Sequence, residues 1–443
     1  MFLGDDIPVS KKKVGFYELH GKQYGNKFHA LSHCKNGEYP KFNFNEEAFG
    51  KADFTVNPSE SIYELYKKRA LQLRKDYDYL VVYFSGGIDS AIIIRTFLEN
   101  KIKIDGVIVY GTWSLDGKLP DGMPNYNTLE QSRAGMPFLK QMEKEYNVKL
   151  NICRHDAVET FYNFKDENYV WSLGGNTVGP RMYSWNFVWQ NKWMQQFLMK
   201  GKVASIKGID KPRVYIEDGK WYFGFLDTNV NDGTPTGELH ARQDWDIHEY
   251  FYWTPDMPEL VIKQAHIVID YLEKNVPIDV LKRISTKDAS FDRKTYINYV
   301  DPLIYSNNGR WLTQDIGKPK NYFGLSKPLS AGLVQKDLWF HQLGDDETKQ
   351  QFDVWLAGVN LLQSKIDPMY FNQSRLEPVD EKVYGKVASN AEFDARWNTI
   401  VGEYNLQKMI QPKDKDDRHI IWGPVGIWST PYFVKNSKHV FNN

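Results

Sequence analysis

The chain has only two cysteines, Cys34 and Cys153, among 443 residues. That excludes a disulfide framework, and the lack of paired cysteines removes the usual signature of a structural zinc site. No apolar run is long enough to span a bilayer, and the opening MFLGDDIPVSKKK lacks a signal-peptide pattern, so a cytoplasmic protein is expected. An excess charge of either sign is also missing, because 56 Lys and Arg balance 56 Asp and Glu. The global basic footprint of a nonspecific nucleic-acid binder is therefore absent. There is no internal repeat and no low-complexity tract.

What is abundant is aromatic side chains, at 15% of residues. They supply flat packing or binding surfaces without choosing between them. The length suggests two or three domains. The chain divides into a small β-rich lead-in over 1–57, an α/β domain over 58–285 and a mostly helical or irregular region over 286–443. In the lead-in, 14–19 and 42–44 read as short strands, and His20, His29, His33 and Cys34 read as loop or capping residues rather than metal ligands.

The informative stretch is 79–100, YLVVYFSGGIDSAIIIRTFLEN. Residues 79–84 have the near-continuous apolar character of a buried parallel strand, and 91–98 continue as a helix. Ser85-Gly86-Gly87-Ile88-Asp89-Ser90 lies between them. Paired glycines let a ligand approach the main chain, and the helix start offers N–H groups and a positive dipole end to an anion such as phosphate. Ser90 or Asp89 can cap that helix, Ser85 and Ser90 add hydroxyls, and Asp89 suits a Mg²⁺ bridging phosphate oxygens. A plain strand–turn–helix with small turn residues is the competing reading.

Downstream, a helix is expected over 58–74, buried strands over 104–110 and 148–153, and helices over 128–146 and 183–199. Alternation of this kind builds a parallel sheet with helices on both faces. Tyr110, Gly111, Thr112 and Trp113 fall at a strand's carboxyl end, where ligands collect in open parallel sheets, although Trp113 can equally be packed. Cys153 reads as a core thiol. Arg181, beside Gly179-Pro180, either meets an anionic group or is a solvated cap residue. A short strand over 203–206 leads into Lys207-Gly208-Ile209-Asp210-Lys211-Pro212-Arg213, which offers Asp210 as a metal ligand and Lys211 and Arg213 as cations for a leaving pyrophosphate. A charged turn is the alternative there. A hairpin follows over 214–226, then an irregular polar insertion over 228–247, a helix from 258 to 272 and a further helix over 347–363.

All six positions of Ser85–Ser90 resemble the SGGxDS loop of the N-type ATP pyrophosphatases (PP-loop), a superfamily that includes asparagine synthetases, NAD and GMP synthetases and phosphoadenylylsulfate reductases. The resemblance covers about 58–230, and only the six-residue loop is specific. It implies a Rossmann-like α/β fold, ATP and Mg²⁺ as ligands, and adenylation of a carboxylate or carbonyl substrate with release of pyrophosphate. Asp89, Lys211 and Arg213 would then be the catalytic residues. Ser85, Gly86, Gly87, Ile88, Asp89, Ser90, Tyr110, Gly111, Thr112 and Arg181 would bind nucleotide, and Asp89 and Asp210 would hold metal. No cysteine follows Cys153, which speaks against the reductase branch. No Cys stands at position 2, so a glutaminase nucleophile is not expected. An asparagine-synthetase-like reaction fits best by elimination, and the divergent aromatic tail resembles that of phage-encoded members. A nucleotide-binding module without turnover is the alternative, with the tail as a surface for a protein partner or a second copy.

Overall fold

The computed structural model describes residues 15–24, 27–86, 88–111, 135–156, 191–208, 213–225, 246–284, 367, 371–372, 423–424 and 427–439. The expected helix over 347–363 and the upstream parts of the helices at 128–146 and 183–199 lie outside these residues.

The lead-in is an antiparallel sheet of β1 (Phe16–Leu19), β2 (Lys22–Tyr24) and β3 (Lys41–Asn43), with β1 in the middle. The helix expected over 58–74 starts later, at Ile62, and runs to Asp76. Helix α3 (Ile62–Asp76) follows two short helices, α1 (Lys27–Ser32) and α2 (Glu46–Phe49). Ser61 caps it reciprocally: the Glu64 N–H donates to Ser61 Oγ at 3.2 Å and the Ser61 N–H donates to the Glu64 carboxylate at 2.7 Å. Two amides of the helix start are satisfied in this way. Leu65, Tyr66, Arg69, Ala70 and Leu73 form its buried stripe.

The centre is a five-stranded sheet in the order β10-β7-β4-β5-β6, with every pairing parallel. Its strands are β4 (Tyr79–Phe84), β5 (Gly106–Gly111), β6 (Ile152–Asp156), β7 (Val203–Lys207) and β10 (Asp246–Tyr250). The two-residue pleat assigns the faces of β4. Leu80, Val82 and Phe84 join the large core with α3, α4 (Ile88–Glu99) and α5 (Met136–Tyr146), whereas Val81 and Tyr83 meet Met194, Phe197 and Leu198 of α6 (Lys192–Leu198). Gly106 opens β5 because a Cβ there would stand 2.3 Å from the Trp193 ring. The result is an α/β fold with helices on both faces of a parallel sheet.

Two strands differ from the sequence-based expectation. The third strand runs over Ile152–Asp156 instead of 148–153, since its register is set by β5, with Val107 opposite Ile152 and Gly111 opposite Asp156. Val148 comes straight after the left-handed Asn147 that ends α5 and is exposed. The polar insertion expected over 228–247 ends in a strand: Asp246–Tyr250, including His248, pairs along the whole of β7.

Two short strands, β11 (Phe371–Asn372) and β12 (Gly423–Pro424), pair antiparallel, and the three-stranded sheet β13-β9-β8 is likewise antiparallel. The hairpin β8 (Arg213–Glu217) and β9 (Lys220–Gly224) turns at Asp218 and Gly219, both at positive φ (50° and 69°) as a tight primed turn requires. The third strand, β13 (Tyr432–Asn436), lies within the tail region expected to be mostly helical or irregular. Its Tyr432 and Val434 alternate inward, and Phe54 stacks on Tyr432 at 4.6 Å. Phe44 and Phe49 likewise pack on Phe225 at 4.4 and 4.9 Å.

Glu273, on helix α7 (Pro258–Asn275), fastens this strand. Its carboxylate accepts from Trp221 Nε1 at 2.8 Å and from the Lys438 N–H at 3.0 Å, and lies 3.1 Å from Lys435 Nζ. Burial pushes the Glu273 pKa up, but these donors and the Lys435 charge outweigh it and leave the group below its ordinary 4.5. A carboxylate with a depressed folded-state pKa contributes stability that is present above 4.5 and lost as pH falls through the folded value. Acid titration below pH 4.5 should therefore release β13 earlier than the parallel sheet. Hydrogen exchange at 432–436 followed against pH tests this, and exchange there that tracks β4 at every pH would contradict it.

Candidate nucleotide site

In the sheet the chain moves outward from β4 to β5 and β6, then returns to place β7 on the other side of β4. The switch in direction lies between β4 and β7, and ligands of open α/β sheets bind in the crevice at the carboxyl ends of strands at such a point. Ser85–Ser90 leaves β4 at this place, and Gly208 leaves β7 beside it.

The loop is short and tied to itself. Gly86 is at φ 87°, a conformation that favours glycine. The Ser85 N–H donates to Ser90 Oγ at 3.3 Å, and the two hydroxyl oxygens stand 3.4 Å apart. Ser90 is buried and Ser85 exposed, so Ser90 draws the start of the loop over the first turn of α4 and leaves the Ser85 hydroxyl outward. Asp89 is half-buried on that turn. Its carbonyl accepts a hydrogen bond from the Tyr252 hydroxyl at 2.6 Å. A Cβ built on Gly208 would stand 3.1 Å from Asp89 Cβ and 3.2 Å from its carbonyl carbon. Glycine at 208 therefore lets the end of β7 lie close against the loop helix without displacing Asp89 or Ile93.

Asp89 acts electrically on its surroundings. The Tyr66 phenol is pushed well above its ordinary pKa, first by burial and then by the charge of Asp89. On the other face of the sheet, Lys207 is buried with its ammonium 5.1 Å from the centroid of the Tyr83 ring, a cation–π distance.

The structure thus brings Ser85, Gly86, Asp89 and Ser90 together, with Ile88 opening α4. Tyr110 and Gly111 end β5 at the same sheet edge, opposite His155 and Asp156. Arg213 is half-buried as the first residue of β8, where it pairs with Gly224 in the antiparallel sheet. Gly87, Thr112, Trp113, Arg181, Asp210 and Lys211 lie outside the described residues. Cys153 is buried, and burial pushes its thiol up to about 11, as befits a core residue and not a nucleophile. Among the described residues no three His, Cys, Asp or Glu side chains gather to hold a metal, and no helix is long and apolar enough to cross a membrane.

Sequence reading quoted Lys207 and Gly208 in the motif at the end of β7 without giving either a role, and it missed Tyr252, which sits in an aromatic run, FYW, with nothing local to distinguish it from core. No family model and no curated protein matches the chain.

Proposed function

We propose that this protein is an ATP-dependent adenylating enzyme with a Rossmann-like PP-loop domain, which cleaves ATP to AMP and pyrophosphate to activate a carboxylate or carbonyl for attack by an amine or sulfur nucleophile. The observation that carries the reading is the strand–SGGIDS–helix unit at the carboxyl edge of the central strand, with Gly208 of the neighbouring strand closed against Asp89. Main-chain N–H groups at the start of α4 favour the β and γ phosphates, and the outward Ser85 hydroxyl adds a donor. The loop has no P-loop lysine of the kind that reaches the β and γ phosphates. Gripping those two groups as one leaving unit exposes the α-phosphorus.

The donor set fits Mg²⁺, which takes one or two protein carboxylates and fills its other positions with substrate and water oxygens. Asp89 and Asp210 would hold it, and its charge would offset that growing on the pyrophosphate. Lys211 and Arg213, which follow Gly208 in the chain, are the candidate cations for that leaving group.

The test is product identity. ATP labelled on the α-phosphate, incubated with Mg²⁺ and a panel of carboxylates and amines, should give labelled AMP. Accumulation of ADP and orthophosphate would refute the reading, and binding of ATP with no consumption under any acceptor would favour a nucleotide-binding module.

A further inference from the structure

Tyr252 is wholly buried and lies two residues beyond the end of β10, yet its hydroxyl is bonded to the first turn of α4, 163 residues away in the chain. The residue is itself held at both its backbone and its ring. Gln264 Nε2 donates to the Tyr252 carbonyl at 2.7 Å, and the Tyr66 ring meets the Tyr252 ring edge-on at 5.3 Å. One residue before this segment, Arg69 donates to the Tyr250 carbonyl at 2.8 Å and anchors the strand end. The backbone and ring of Tyr252 are thereby held in place before any ligand arrives.

Asp89 is enclosed as a consequence. Tyr252 holds its carbonyl, Gly208 closes on its Cβ and carbonyl carbon, and Tyr66 lies within the field of its carboxylate. A carbonyl in a first helical turn already has an acceptor role within the helix, so the added phenol is not needed to satisfy it. What the phenol adds is direction, because fixing the Asp89 peptide fixes the angle at which the side chain leaves the helix. Outer partners of this kind orient a metal ligand, and losing one typically costs about 10–100-fold in metal affinity or activity.

We propose that Tyr252 is a positioning residue for the nucleotide site: it sets the first turn of α4 so that Asp89 faces a magnesium-bound pyrophosphate group. This rests on the nucleotide reading above.

The experiment uses inorganic pyrophosphate as probe, titrated calorimetrically into the full chain with Mg²⁺ and again with EDTA. Tyr252→Phe keeps the ring against Tyr66 and deletes only the hydroxyl. It should weaken binding about tenfold with Mg²⁺ and leave binding in EDTA unchanged, a split that general loosening of the core does not produce. In an Asp89→Asn background, Tyr252→Phe should have little further effect, as expected of two groups acting through one contact. Gln264→Met, which frees the Tyr252 backbone from the other side, should weaken Mg²⁺-dependent binding in the same direction. Wild-type protein that does not bind magnesium pyrophosphate refutes the nucleotide reading and this proposal with it. Wild-type binding that Tyr252→Phe leaves intact, or a loss equally large in EDTA or in the Asp89→Asn background, overturns the positioning role alone.

Discussion

Asp89→Ala should lower AMP formation by on the order of a hundredfold or more, the size of loss seen when a preorganised electrostatic contact to a transition state is removed. The substitution isolates the carboxylate. Tyr252 grips the Asp89 carbonyl and not its side chain, so that bond survives, and alanine is a good helix former in the first turn. The apo protein should melt close to wild type. Since charge on the pyrophosphate grows as it departs, turnover should fall further than ATP affinity does. Labelled AMP release and ATP binding measured side by side give both quantities. A variant that turns over within about threefold of wild type would remove Asp89 from the chemistry, because losing a positioned charge contact costs far more than that.

Arg69→Met should destabilise the fold by roughly 3–5 kcal/mol, the range for breaking one side of a buried ion pair. The side chains of Arg69 and Glu249 are 0% and 1% exposed and meet at 2.7 Å. Arg69 also donates to the Tyr250 carbonyl at 2.8 Å and to Gln72 Oε1 at 3.0 Å, and the Tyr77 hydroxyl donates to the other oxygen of Glu249. Burial, followed by the charge of Glu249, pushes the Tyr77 phenol up, so this hydroxyl stays a donor across the accessible pH range. Methionine would leave Glu249 charged, buried and supported by Tyr77 alone of these two partners. The double variant Arg69→Met with Glu249→Gln removes both charges and should recover a large part of the loss. Urea unfolding of the wild type, the single variant and the double variant measures this. A single-variant loss below about 1 kcal/mol, the size of an exposed pair, would mean that the pair does not carry the joint between α3 and the edge strand.

These two expectations differ in how far the sequence announces them. Asp89 is legible because everything around it is local. A six-residue apolar strand, paired glycines and a helix start follow one another, and each has its own sequence signature. The same holds for Asp218-Gly219, which dictates a tight hairpin, and for Pro258 in the first turn of α7, whereas the capping box of Ser61 and Glu64 starts α3 at 62 and not at the 58 that the sequence suggests. The parallel α/β fold follows from that alternation.

The tertiary structure decided the rest. The start of the strand at 246–250, DIHEY, fell in the polar insertion read over 228–247 because a strand at a sheet edge need not be apolar, and Glu249 is tolerated in the core because Arg69, 180 residues earlier, and Tyr77 both donate to it. The third strand began four residues later than its apolar run suggests, since register belongs to the pairing with β5 and not to either strand alone. Tyr432–Asn436 became a strand by completing a sheet whose other members lie about two hundred residues upstream. Tyr252 is the clearest case. Its hydroxyl meets Asp89 because β10 pairs with β7 and α3 packs against the segment that follows, and no periodicity along the chain encodes a hydrogen bond between two segments so far apart in sequence.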